Sequence, residues 1–186
     1  APEATIAAYI YVDRNRNHSP DPGENKRLEG ETINLVQGSS CESGTIIATA
    51  KSDIYGSVYF KGEVGKNYLI CEAQPIGYGN GNANGIPGSN SIAVTNLQSG
   101  GSYGNSFGEW GGSIAGSVYE DFGVSTALTN NGVRDTGEKG IVGVSVTLVG
   151  RDLRGQSVSF STVTDANGNY VFDDLMEPDA TGYTVV

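Results

Sequence analysis

Residues 52–60 read SDIYGSVYF and residues 164–172 read TDANGNYVF. In each, an Asp-containing turn closes on a glycine and is followed by residues that alternate in polarity, the pattern of a tight turn leading into a half-buried strand. Four more pairs of blocks surround these two in the same order. IAAYIYVD (6–13) matches IAGSVYED (114–121), and DPGE (21–24) matches DTGE (135–138). TINLV (32–36) matches SVTLV (145–149), and NYLI (67–70) matches GYTVV (182–186). Self-similarity in register over this length marks a duplicated unit. The chain is therefore expected to hold two modules, residues 1–110 and 111–186.

Inside each module the apolar period is two. Ile6, Ala8, Ile10 and Val12 share one face of a strand, as do Val144, Val146 and Leu148, and Tyr170 with Phe172. No segment keeps a helical period. With 28 glycines and only 37% hydrophobic residues, the composition suits thin two-layer β-sandwiches with many turns. The 21 acidic side chains outnumber the 11 basic ones, giving a net charge of −10, which disfavours nucleic acid and anionic membranes and favours cations. No apolar run approaches the roughly 18 residues of a membrane-spanning helix, so no membrane insertion is expected, and the first residues do not read as a signal peptide.

The segment joining the first two strands is the most chemically specific. Residues 13–24, DRNRNHSPDPGE, place oxygen-bearing residues at the spacing of an EF-hand calcium loop: Asp13, Asn15, Asn17, Asp21 and Glu24 at positions 1, 3, 5, 9 and 12. Ser19 would contribute its carbonyl at position 7. Only position 6 departs, His18 standing where glycine is usual; histidine tolerates left-handed backbone better than most residues. This loop lies between strands, so it is read as a strand-connecting clamp for Ca2+ and not as a sensor that opens helices.

The second loop is longer. Asp13 to Asp21 spans eight positions and Asp121 to Asp135 fourteen, an insertion of six residues within 122–130. Counting back from Glu138 as position 12 gives Asp135 at 9, the Val133 carbonyl at 7, Asn131 at 5, Thr129 at 3 and Ala127 at 1. Ala127 has no side-chain oxygen, so Asp121 must fold back across the insertion to complete the site, with Glu120 in reserve. The expected ligands are Asp121, Asn131, Val133, Asp135 and Glu138.

Cys41 and Cys71 both fall in the first module, which favours a disulfide over two free thiols. Such a loop of about 30 residues would add roughly 3–4 kcal/mol and points to an oxidising compartment. Residues 77–90, GYGNGNANGIPGSN, read as a long exposed loop, residues 106–110 as a last strand, and Trp110 as packing at the junction of the modules. The second module ends at its GYTVV block, so its closing strands are expected to be missing or supplied by another chain. A single histidine, no CxxC pair and no phosphate loop leave no catalytic constellation.

In order, the strand, the D-x-N-x-N-x-x-x-D-x-G-E loop, the V-x-V-x-L strand and the TDANGNYVF block resemble the calcium-binding B-type repeats of Ser-Asp-repeat bacterial surface adhesins. These belong to the Cna-B-like group of transthyretin-like (Ig-like) β-sandwiches. The resemblance covers nearly the whole chain. It implies a non-catalytic, cell-surface stalk module whose partners are neighbouring modules of the same chain, with a host or matrix protein as the adhesive target. Relatives that form a Lys–Asn crosslink carry the lysine in the first strand; residues 6–12 and 114–120 contain none, so that bond is not expected. Two alternatives stand beside this reading: a filament subunit whose sheet is completed by an identical subunit, and a glycan-binding accessory module of a secreted protein.

Overall fold

The computed structural model describes residues 1–123, 125–126 and 128–186. Among them the regular structure is all β, and no helix is long and apolar enough to cross a membrane. The chain divides into two compact units, Ala1–Gly111 and Gly112–Val186.

The first unit contains β1 (Glu3–Val12), β2 (Thr32–Gln37), β3 (Thr45–Lys51), β4 (Ser57–Glu63) and β5 (Tyr68–Glu72), then β6 (Gly79–Ala83), β7 (Ile86–Pro87), β8 (Ser91–Val94) and β9 (Ser102–Trp110). One sheet runs β4-β1-β9-β6-β7 and the other β3-β2-β5-β8. Strand β1 pairs antiparallel with β4 and parallel with β9. Ile6, Ile10 and Val12 from one sheet and Ile33, Leu35 and Ile70 from the other are fully buried, with Phe107 among them. Burying side chains of this size stabilises by roughly 1.5–3 kcal/mol each. Cys41 and Cys71 form a disulfide, with an S–S length of 1.99 Å and Cα atoms 5.8 Å apart, tying the turn after β2 to β5.

The second unit contains β10 (Gly112–Ser117), β11 (Ser145–Asp152), β12 (Ser157–Val163), β13 (Asn169–Leu175) and β14 (Pro178–Val185), in sheets β10-β13 and β12-β11-β14. Its core is smaller: Val146, Leu148, Phe172 and Leu175, with Ile114, Val118, Tyr170, Tyr183 and Val185 packed around them. Among its described residues, no strand follows β14.

The repeated blocks occupy the same register in both units. Ile6 faces Phe60 across β1–β4, and Ile114 faces Phe172 across β10–β13. Leu35 faces Ile70, and Leu148 faces Val185. The turns that precede β4 and β13 are also alike. Asp53 Oδ1 accepts the N–H groups of Tyr55 and Ser57 at 2.9 and 2.8 Å, and Asp165 Oδ1 those of Asn167 and Asn169 at 2.8 and 2.9 Å. Gly56 and Gly168 close these turns at φ 71° and 76°; a Cβ there would lie 2.5 Å from the Ile10 carbonyl and 2.3 Å from that of Val118. Only glycine satisfies both the positive φ and the close approach.

Residues 77–90 are not the exposed loop that their composition suggests. Gly79–Ala83 is β6, paired with β9 and hairpinned to β7. The last strand also begins earlier than residue 106, at Ser102.

Besides the acids of loop one, Glu72 and Glu109 are buried in the first unit with Glu31 nearby. Glu109 is fully buried and Glu72 nearly so. Gln74 Nε2 donates to Glu109 Oε2, while both Glu72 oxygens lack a nitrogen or hydroxyl donor. Burial, reinforced by the charge and hydrogen bond of Glu109, pushes Glu72 up to about 10. Burial raises Glu109 to about 7 against the hydrogen bonds from Gln74 and Glu72. Both start from 4.5, so the folded chain keeps protons that the unfolded chain releases above that pH. Their contribution to stability is complete below pH 4.5 and is lost as pH rises, through about 7 for Glu109 and about 10 for Glu72. Denaturant titrations of the first unit are therefore expected to show stability falling steadily between pH 5 and pH 9, and Glu72→Gln to flatten most of that slope.

Candidate strand-linking cation loops

Loop one leaves β1 at Asp13, whose N–H donates to the Glu109 carbonyl at 2.8 Å. The Asp13 side chain is fully buried, an arrangement that is costly for a carboxylate unless donors surround it. Oδ1 accepts the Asn17 N–H at 3.2 Å, and Oδ2 accepts the His18 N–H at 2.9 Å and Asn82 Nδ2 at 3.3 Å. Asn17 Oδ1 accepts the Ser19 N–H at 2.9 Å, and Asn15 Oδ1 the Asn17 N–H at 3.0 Å. Asp21 Oδ2 takes both side-chain amides, from Asn15 at 2.7 Å and Asn17 at 2.5 Å. Glu24, also buried, closes the loop: Oε1 accepts the Asn15 N–H at 3.3 Å and Oε2 the Asp21 N–H at 3.1 Å.

Loop two repeats this wiring despite its extra residues. Asp121 Oδ1 accepts the Asn131 N–H at 3.2 Å and Oδ2 the Gly132 N–H at 2.7 Å. Asn131 Oδ1 accepts the Val133 N–H at 2.7 Å, and Asn131 Nδ2 donates to Asp135 Oδ2 at 2.8 Å. Glu138 Oε2 accepts the Asp135 N–H at 2.9 Å. Asp121 thus occupies position 1. The insertion is closed off by the bridge between Phe122 and Thr129 and by the Asn130 N–H on the Asp121 carbonyl at 3.2 Å. Ala127, position 1 by strict counting, lies outside the described residues.

The backbone path agrees as well. Left-handed residues fall at positions 4, 6 and 11 of both loops: Arg16, His18 and Gly23 at φ 57°, 64° and 99°, and Asn130, Gly132 and Gly137 at φ 55°, 76° and 98°. The loops differ at position 3. Asn15 reaches Asp21, whereas the Thr129 hydroxyl turns away to the Gly123 and Ser125 carbonyls at 3.3 and 3.0 Å. Glu138 Oε1 is left buried without a hydrogen-bond partner. Glu120 is exposed and is tied through its N–H to the Lys139 carbonyl at 2.9 Å.

Negative potential gathers around both loops. Tyr11 and Tyr119 stand two residues before their respective aspartates. Burial pushes the Tyr11 phenol up to about 12, against the hydrogen bond from Asn82 and with help from the charges of Asp13 and Glu24. Tyr119 is raised by desolvation and then by Asp121, Glu138 and Asp135. Among the described residues, no three His, Cys, Asp or Glu side chains lie close enough to hold a metal ion as the loops stand. The converging oxygens are instead shared among carboxylates, amides and backbone N–H groups.

Trp110, expected at the junction of the modules, meets two side chains of loop one. The Arg16 guanidinium lies 4.9 Å from the indole centroid and the His18 ring 6.2 Å from it. Asn82, which no spacing rule singled out, supports Asp13 from β6.

Residues 113–186 match the family model of the SdrD B-like domain. Along 94% of its length the chain is similar to Serine-aspartate repeat-containing protein D of Staphylococcus aureus (strain Newman), with 30% identity over 181 residues. It is 31% identical over 182 residues to Serine-aspartate repeat-containing protein F of Staphylococcus epidermidis. The chain spans 13% and 10% of these two relatives. Among solved structures, the Bacillus anthracis TIE protein aligns with 98% of this chain and 28% of its own, at a TM-score of 0.45 and 17% identity. The shaft pilin SpaA of Lactobacillus rhamnosus GG aligns with 99% of this chain and 87% of its own, at a TM-score of 0.45 and 13% identity.

Asp13→Ala strands two backbone N–H groups and the Asn82 amide in a buried site. In EDTA it is expected to destabilise the first unit by about 2–4 kcal/mol, while Asp121→Ala, at a more open loop, costs the second unit about 1–2 kcal/mol. Urea unfolding of each variant checks the difference.

Proposed function

We propose that this chain is a non-catalytic pair of structural modules from an extracellular surface protein, and that calcium stiffens each module at its strand-linking loop. One observation carries the proposal: two loops of different length converge on the same hydrogen-bond pattern and the same left-handed positions. A solvated acidic turn has no need of this coincidence, whereas a shared oxygen cage does.

The donor set suits a hard cation that takes six to eight oxygens. Asp13, Asn15, Asn17, Asp21 and Glu24, with the Ser19 carbonyl, would hold one ion. Asp121, Asn131, Asp135 and Glu138, with the Val133 carbonyl, would hold a second. The buried, unpartnered Glu138 Oε1 supports a cation at the second loop. At the first, amide groups now donating to Asp21 can turn their oxygens inward. Calcium would supply the positive charge that these clustered carboxylates lack. The protein's own part is to fix Asp13 and Asp121 beyond their units' first strands, so that closing the loop fastens one strand connection to the edge of the core.

Similarity to the serine-aspartate repeat-containing proteins supports a surface location, with neighbouring modules of the same protein as the natural partners. Nothing in the loops calls for a reaction: their carboxylates are engaged by backbone N–H groups and by the side-chain amides of Asn15, Asn17 and Asn131.

Binding to the folded state alone adds about 2.7 kcal/mol at a hundredfold excess over Kd, and a unit this small shifts by several degrees per kcal/mol. Calorimetric melting in millimolar calcium is expected to raise both units' transitions by roughly 5 °C or more over EDTA, with Asp13→Ala abolishing the shift in the first unit only. Identical melting curves in calcium and EDTA would remove the proposal.

A further inference from the structure

We infer that Trp110 is the positioning residue of loop one: its indole holds Arg16 and His18 in left-handed conformations and so keeps the loop's amides aimed at Asp13 before any ion arrives. This deepens the calcium reading above and rests on it for its functional consequence.

The argument starts from backbone cost. Positions 4 and 6 are left-handed in both loops. Loop two fills them with Asn130 and Gly132, residues that enter this region at low cost. Loop one fills them with Arg16 and His18, whose Cβ atoms make the same conformation unfavourable. Something must offset that strain, and the two strained residues are the ones whose side chains meet Trp110. The Arg16 guanidinium stacks over the indole at 4.9 Å, within cation–π range, and the His18 ring tilts against it at 36°.

The indole in turn has a prepared seat. A Cβ on Gly81 would lie 2.9 Å from Trp110 Nε1, and one on Gly79 would lie 3.4 Å from Trp110 Cβ. Strand β6 is therefore bare of side chains where the indole lies. The same strand supplies Asn82, whose amide reaches Asp13, and the following Gly85 packs near the His18 carbonyl. The Gly- and Asn-rich composition of residues 79–85 thus serves as a scaffold for loop one. Loop two, with inexpensive residues at positions 4 and 6, needs no such scaffold.

The test compares wild type, Trp110→Ala, Trp110→Phe and Trp110→Ala combined with Arg16→Asn and His18→Gly, the residues of loop two at those positions. Amide hydrogen exchange in EDTA reads the loop without an ion. In Trp110→Ala the Asn17 and His18 amides are expected to exchange about tenfold faster or more, with strand amides such as Ile6 unchanged. Phenylalanine should preserve most of the protection, and the Asn/Gly graft should restore protection at positions 17 and 18 without the indole. Calcium titration should show the first site weakened by roughly tenfold in Trp110→Ala and the second unaltered. Unchanged exchange at Asn17 and His18, an equal loss at Ile6, or failure of the graft to restore protection would overturn the inference. Because the exchange arm uses no calcium, it decides the role of Trp110 even where the titration shows no binding.

Discussion

Each unit depends on one aspartate beyond its first strand accepting two consecutive backbone N–H groups from the far side of a loop. Asp13 does this for Asn17 and His18, Asp121 for Asn131 and Gly132. A carboxylate as deeply buried as Asp13 is tolerated only when donors surround it. That requirement fixes the loop's path, its left-handed positions and the place of Asn82. Because Asp13 also bonds to Glu109 through its N–H, the same contact couples the loop to β9 and the parallel pairing at the centre of the sheet.

The two loops show which features this constraint governs. Six added residues between Asp121 and Asn131 leave both N–H bonds on the aspartate in place, and the insertion pairs with itself through Phe122 and Thr129 before the chain returns. Position 3 is different. There the insertion diverts Thr129, and Glu138 keeps an oxygen unpartnered. The buried carboxylates of the first loop are therefore engaged and the loop is braced, the second is shorter of donors and more open, although both present the same acidic face.

Much of this was legible in the sequence because the repeat could be checked against itself. The equivalence of the Ile6–Phe60 and Ile114–Phe172 pairs follows from the matched blocks, and Asp121 must fold back once Ala127 falls on position 1. Residues 79–83 were not legible. Glycine and asparagine read as loop by propensity, and only pairing with β9 and the space required by the indole make them a strand. Trp110 escaped for the same reason, since its neighbours Arg16 and His18 are distant in sequence and look like loop polarity. The buried Glu72 and Glu109 also escaped: alternation marks a face, but it does not announce that a carboxyl will sit on the inner one and keep its proton.

The central claim is that both loops are calcium cages. Anomalous diffraction from crystals grown in calcium tests it most directly. The account predicts one peak in each loop, within about 2.3–2.6 Å of oxygens from Asp13, Asp21 and Glu24 in one and from Asp121, Asp135 and Glu138 in the other. Well-ordered loops with no anomalous peak in either would contradict it.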